Sequence, residues 1–224
     1  MEPLAALTAA SSTLVGTHLA LSHPLRAPVI RLLGERGFLL VYSAVALFAL
    51  WWMARAFRAA PAGDLGAASG TAGWLVASLL TLPALVLFLG SLSGNPALPQ
   101  PGAARLAAAE PRSVFRVTRH PMMWSFALWA LAHLALLWSW RTTIVATAIL
   151  VLALVGARLQ DGKKASLMGE HWQAWEAKTS YWPRWHILPL VSPWLWLAAI
   201  AAWLAITWAH LPLGGMAAGV WRWL

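Results

Sequence analysis

Apolar residues along the 224-residue chain gather into six runs of about 20, the length that a bilayer's hydrocarbon core requires. The runs cover roughly residues 3–21, 37–57, 71–92, 121–140, 142–159 and 193–211. No long alternation of apolar and polar positions appears, so a β-barrel is not indicated and the runs predict helices. The pattern predicts an all-α polytopic transmembrane helix bundle, a single integral membrane domain over residues 1–224. After the fifth run, Leu167, Trp172 and Trp175 alternate with Lys163, Lys164, Glu170, Glu176 and Lys178. That contrast predicts an amphipathic segment over residues 163–179, lying on the inner membrane surface with its tryptophans at headgroup level. The Gly/Ala-rich stretch Ala59–Gly70 predicts a flexible outer linker.

Polar positions inside the runs are few and ordered. Thr8, Ser11, Val15, His18 and Ser22 recur every three or four residues, which makes one stripe on the first helix that should face the bundle interior. Met122, Phe126, Trp129 and His133 share a face of the fourth, and Trp196, Ile200, Trp203, Thr207 and His210 share a face of the sixth. Pro121 suits the first turn of the fourth helix, where a missing N–H costs nothing.

Charge adds orientation. Only 10% of residues are charged, against roughly 25% in a soluble domain. The net charge of +9 would suit a nucleic-acid partner, but the basic residues sit between apolar runs, so topology explains them and no nucleic acid is implied. The first, third and fifth connections hold twelve Lys and Arg, and the opposite side holds four: Arg55, Arg58, Arg141 and Arg222. The bias places those three connections in the cytoplasm and both termini outside. The N-terminus lacks a basic lead-in and is expected to be a retained first span rather than a signal peptide. There is no cysteine, so disulfides, thiolate catalysis and zinc–thiolate sites are excluded.

Seven histidines carry the candidate chemistry: His18, His23, His120, His133, His171, His186 and His210. His171 and His186 read as surface residues of the cytoplasmic segment. His133 is the sharpest case, because it lies 12 residues beyond Pro121, about 18 Å into an apolar helix. A buried imidazole there needs a hydrogen-bond acceptor or a metal. Three readings stand: a hydrogen-bonded core histidine, an axial ligand of haem b with its partner on another helix, or an acid–base group.

Several short motifs together resemble the NnrU family of bacterial membrane proteins and its relative, 15-cis-zeta-carotene isomerase. They are Ser22-His23 with Arg26, Gly34-Glu35-Arg36, Arg116-Val117-Thr118-Arg119-His120-Pro121, Leu131-Ala132-His133, Asp161-x-Lys163-Lys164, Gly169-Glu170, Lys178-Thr179-Ser180 and Ala209-His210. The resemblance implies a multi-pass protein of the bacterial inner membrane that binds haem b. It implies His23 and His133 as axial ligands, with His120, Arg119 and Arg36 near the haem propionates or the inner mouth and Trp129 beside the ring. The activity it implies is redox-dependent cis–trans isomerisation of a lipid-soluble polyene. The bacterial branch implies instead an accessory role in nitrite and nitric oxide metabolism. Ala130 stands where the plant-type isomerases carry a cysteine and Met122 where they favour glutamine, so thiolate ligand exchange is not available to this chain.

Depth argues with that ligand pair. His23 falls near the inner edge, whereas His133 lies well inside. By depth, His120 would suit His23 and His210 would suit His133, with His18 a further alternate. His120 and His133 are 13 residues apart, which leaves about 220° between them on a straight helix, so they do not serve one iron. A weaker resemblance is to isoprenylcysteine carboxyl methyltransferases, through the Arg-His-Pro entry and Met168-Gly169-Glu170-His171-Trp172. Gln160-Asp161 lacks one of the two carboxylates those enzymes place before that segment.

Overall fold

The structure, a computed structural model, describes residues 2–62, 65 and 69–224. Eight α-helices follow one another: α1 Pro3–Ser22, α2 Arg26–Ala59, α3 Gly70–Ser91, α4 Ala103–Ala108, α5 Pro121–Leu136, α6 Trp140–Met168, α7 Glu170–Lys178 and α8 Pro193–Gly214. No strand occurs among the described residues. Five helices (α1, α2, α3, α6 and α8) are long and apolar enough to cross a membrane, and α5 is an apolar helix of 16 residues. Their outward side chains are apolar, with Leu32, Leu40, Leu79 and Trp194 each more than two-thirds exposed. Such a surface belongs against lipid.

The helix boundaries follow local chemistry. Proline occupies the first turn of α1, α5 and α8. Ser139 caps α6, its Oγ accepting the Thr142 N–H at 3.2 Å. The fourth and fifth apolar runs are therefore separated at Leu137–Ser139, and the fourth ends four residues earlier than the sequence suggests. Helix α2 is two helical pieces joined at Gly34, whose φ 70°, ψ 172° is not helical, so a short stretch from Arg26 precedes the apolar run. Only glycine enters that region without strain.

Helix α6 is the divide of the bundle. It packs on α1 from one side and on α5 from the other, while α1 also pairs with α2, and α3 pairs with α5 and α8. The seams are lined with small residues, among them Ala10, Ala77, Ala127, Ala132, Ala146 and Ala153, all buried. Small side chains let helices approach closely where lipid offers no hydrophobic drive. The first, third and fifth connections lie at one end of the bundle. Val117 and Arg119 exchange backbone hydrogen bonds with Arg184 and Ser180, and Lys164 reaches the carbonyls of Pro96 and Leu98. At the other end Ser69 bonds the Leu136 carbonyl and Arg141 the Ala60 carbonyl.

Two expectations are corrected here. Residues 163–168 continue α6 rather than opening an amphipathic segment, and α7 starts afresh at Glu170 after Gly169. Trp172 and Trp175 do not face lipid. They are 0% and 2% exposed, packed in the protein core with Phe115, whose ring meets that of Trp175 at 5.8 Å. The apolar face of α7 is thus spent on protein, not lipid. The interior stripe on α1 is also only partly inward: Ser11 is buried, but Thr8 is exposed and bonds its own helix at Leu4. Residues 63, 64 and 66–68 of the expected linker Ala59–Gly70 lie outside the described residues.

Replacing Gly34 by alanine should cost about 1–3 kcal/mol by forcing a side chain into a glycine-only conformation. Thermal unfolding in detergent would show it as a lowered midpoint, with Gly16→Ala, where an added Cβ meets nothing within 4 Å, as the comparison.

Candidate functional site

Three polar assemblies interrupt the apolar bundle. The first is an ion cluster between the start of α5 and the last turns of α6. Arg119 lies side-on to Asp161, with Nε donating to both carboxylate oxygens at 3.0 and 3.1 Å and Nη2 donating to Oδ2 at 2.7 Å. His120 Nε2 meets the same carboxylate at 2.8 Å, and Glu176 on α7 approaches Arg119 at 3.4 Å. The His120 side chain is fully buried, and those of Asp161 and Arg119 are 4% and 10% exposed. Tyr181 closes the cluster, its ring 5.5 Å from that of His120 and its hydroxyl donating to the Leu154 carbonyl. Burial, with the Asp161 charge behind it, pushes the Tyr181 hydroxyl above the usual phenol range, so it stays protonated.

The second assembly is a cavity of about 290 Å³ among α3, α5 and α8. Phe88, Trp74, Trp129 and Trp203 form its aromatic walls, and His133 and His210 are its two basic groups. Each imidazole is fixed the same way. His133 Nδ1 lies 2.8 Å from the Trp129 carbonyl and His210 Nδ1 lies 2.8 Å from the Ile206 carbonyl, one helical turn earlier in each case. A carbonyl only accepts, so each Nδ1 carries the proton and each Nε2 keeps its lone pair. The His133 ring also stacks on Trp129 at 4.0 Å. A polar chain holds α8 to α3 alongside, from Trp221 Nε1 to Thr207, and from Trp203 Nε1 to Thr81. Gly219 permits this closeness, since a Cβ there would sit 2.8 Å from the Trp203 ring.

The third is a larger cavity of about 530 Å³ among α1, α2, α5, α6 and residues 97–99. His18, Ser22, His23, Arg26, Tyr42, Lys163 and Lys164 supply its polar lining. Burial, reinforced by the Lys163 charge, holds His23 below the usual histidine range, so it is neutral near pH 7. Phe126 lines both cavities.

These placements revise the expected site. His23 and His133 line different cavities, so the axial pair carried over from the resemblance does not face one space. The pairing by depth is what the structure brings together in one case, His133 with His210. His120 does not join His23; its Nε2 is committed to Asp161. Arg119 likewise faces Asp161 rather than an open mouth, and Arg36 is exposed and lines neither cavity. Trp129 stands beside His133, their ring centroids 4.0 Å apart. Asp161 was the residue missed as a partner. The signal was present, since an aspartate that follows an apolar run beside an Arg-His pair must be matched by a cation. Lys163 and Lys164, expected on the polar side of the amphipathic segment, both line a cavity.

The chain is thus a polytopic helical membrane protein whose described residues form an aromatic cavity, a cationic cavity and a buried ion cluster. The family model described as NnrU protein matches residues 6–218, and the chain belongs to that family. No curated protein and no solved structure matches it.

Removing one partner from the ion cluster leaves buried charge uncompensated, which costs about 3–5 kcal/mol. Asp161→Asn should therefore unfold at markedly lower temperature than the wild type in the same detergent. Glu176→Gln, which removes only the long 3.4 Å contact, should have a small effect.

Proposed function

We propose that this member of the NnrU family is a haem b protein, with the iron held between His133 and His210 in the cavity of α3, α5 and α8. One observation carries the reading: two imidazoles from different helices enter one apolar cavity, each with Nδ1 spent on a backbone carbonyl and Nε2 left free. That arrangement of an outer hydrogen bond and an open inner nitrogen is the usual preparation of a metal ligand. Among the described residues no group of three or more His, Cys, Asp or Glu could hold an ion alone. A porphyrin needs only the two axial positions from protein. The aromatic walls suit a flat ring, and Arg222, stacked on the Trp74 wall at 5.0 Å, is a cation within reach of a propionate.

Bound there, haem supplies Lewis acidity or one-electron exchange to bond rotation in a conjugated polyene. The chain's own part is to set ligand strength through the two carbonyl-bonded imidazoles and to keep water out with tryptophan and phenylalanine. The substrate would come from lipid, since Phe126, Trp129, Ile206 and Met216 stand exposed at the rim of the cavity. The same site would serve a haem-carrying accessory of nitrite and nitric oxide metabolism. We place the protein in the bacterial inner membrane with six passes, α5 included, and both termini periplasmic, on the strength of the basic odd-numbered connections gathered at one end.

Purified after haem-supplemented expression, the protein should show a Soret band that His133→Ala and His210→Ala each shift or abolish. His23→Ala should leave it in place. Absence of the band in the wild type, or its loss in His23→Ala alone, would refute the assignment. Feeding the tri-cis polyene in a carotenogenic host and reading product isomers would separate the isomerase from the accessory role.

A further inference from the structure

The cavity on the α1 side of α6 has no part in the haem reading, and its lining is unbalanced. Arg26, Lys163 and Lys164 all face it, and among the described residues no acidic side chain does. Asp161, the nearest carboxylate along α6, is committed to Arg119 and His120. Lys164 is 8% exposed and spends hydrogen bonds on the Pro96 and Leu98 carbonyls, which are dipoles and cancel no charge. Arg26 and Lys163 are close enough to repel one another, and Lys163 bears on His23 as well. Like charges gathered in a partly buried apolar site cost free energy until an anion joins them.

The lining is also graded. The cations sit at the end where α1 turns into α2, while Ile149 and Leu152 of α6 and Leu14 of α1 continue the wall toward the other end. Ile149 and Lys163 are fourteen positions apart, a rise of about 21 Å along the helix. A long apolar channel with three cations at one end fits a molecule of matching polarity. We infer that this cavity binds a phosphate-bearing membrane amphiphile, with its phosphate on Arg26, Lys163 and Lys164 and its hydrocarbon chain between α1 and α6. Phospholipids of the bilayer and prenyl phosphates share that chemistry.

Gly156 makes the inference testable without breaking the fold. It lines this cavity, and a Cβ added there meets nothing within 4 Å. Gly156→Leu therefore puts a side chain where the hydrocarbon would lie. Native mass spectrometry of the full chain in detergent would compare dioleoylphosphatidylglycerol, farnesyl phosphate, dioleoylphosphatidylcholine and inorganic phosphate as added probes. At least one of the first two should bind the wild type at least tenfold more tightly than the last two, and which one does so identifies the source. Lys163→Gln/Lys164→Gln and Gly156→Leu should each weaken that binding at least tenfold, whereas Arg105→Gln, an exposed cation at the same end, should not. Equal binding of the zwitterionic lipid or of inorganic phosphate, or an equal loss in Arg105→Gln, would overturn the proposal. So would loss of a Soret band in Gly156→Leu, which would give this cavity to the porphyrin; an unaltered band with lost amphiphile binding keeps the two sites separate.

Discussion

A carboxylate in an apolar helix must be matched, and the match made by Asp161 organises one end of the molecule. Its two oxygens take Arg119 and His120, the last two residues before α5 begins. Arg119 and the preceding Thr118 are pinned to the 180–184 segment through the Arg119 N–H and the Thr118 hydroxyl. One side chain of α6 thereby fixes where α5 starts, where α7 can lie and how the chain passes into α8. Because α5 and α8 carry the paired histidines, the geometry of the aromatic cavity at the far end is set from this cluster. An ion pair of this kind adds little net stability over an apolar replacement, yet it is costly to break. Its value here is positional.

Helix α6 presents different faces to its neighbours, and one of them lines the cationic cavity. Toward α5 it offers alanine and the carboxylate, and Asp161 is matched there by Arg119 and His120. Toward α1 and α2 it offers Gly156, Lys163 and Lys164, and the cations are left unmatched. An apolar cavity with two imidazoles and a cationic cavity with a long greasy wall ask for different occupants. Phe126, common to both, is a thin partition between them.

Much of the fold was legible because bilayer physics leaves few choices: run length gave the helices, and the basic residues grouped the connections that pack together. Of the two faces read from spacing, Phe126, Trp129 and His133 on α5 and Trp203, Thr207 and His210 on α8 line one cavity, and depth alone favoured His133 with His210. The failures share a cause. Whether Trp172 and Trp175 meet lipid or protein depends on Phe115, which is distant in sequence. Whether Arg119 and His120 serve a ligand depends on Asp161, some forty positions away. The amphipathic pattern of residues 163–179 could not show that Gly169 breaks it in two.

The shortness of α5 has a consequence for the surrounding lipid. Sixteen residues rise about 24 Å, some 6 Å less than a typical hydrocarbon core of about 30 Å. Were α5 the sixth pass proposed above, its exposed Phe126, Trp129 and Leu131 would require the bilayer beside it to thin, or the polar turn at its start to be drawn below the headgroups. The ion cluster marks that turn, so charge and compressed lipid would meet at one place. Membrane thickness would then act as a load on the entry to α5, and a thicker bilayer would press hardest on the contacts that hold it.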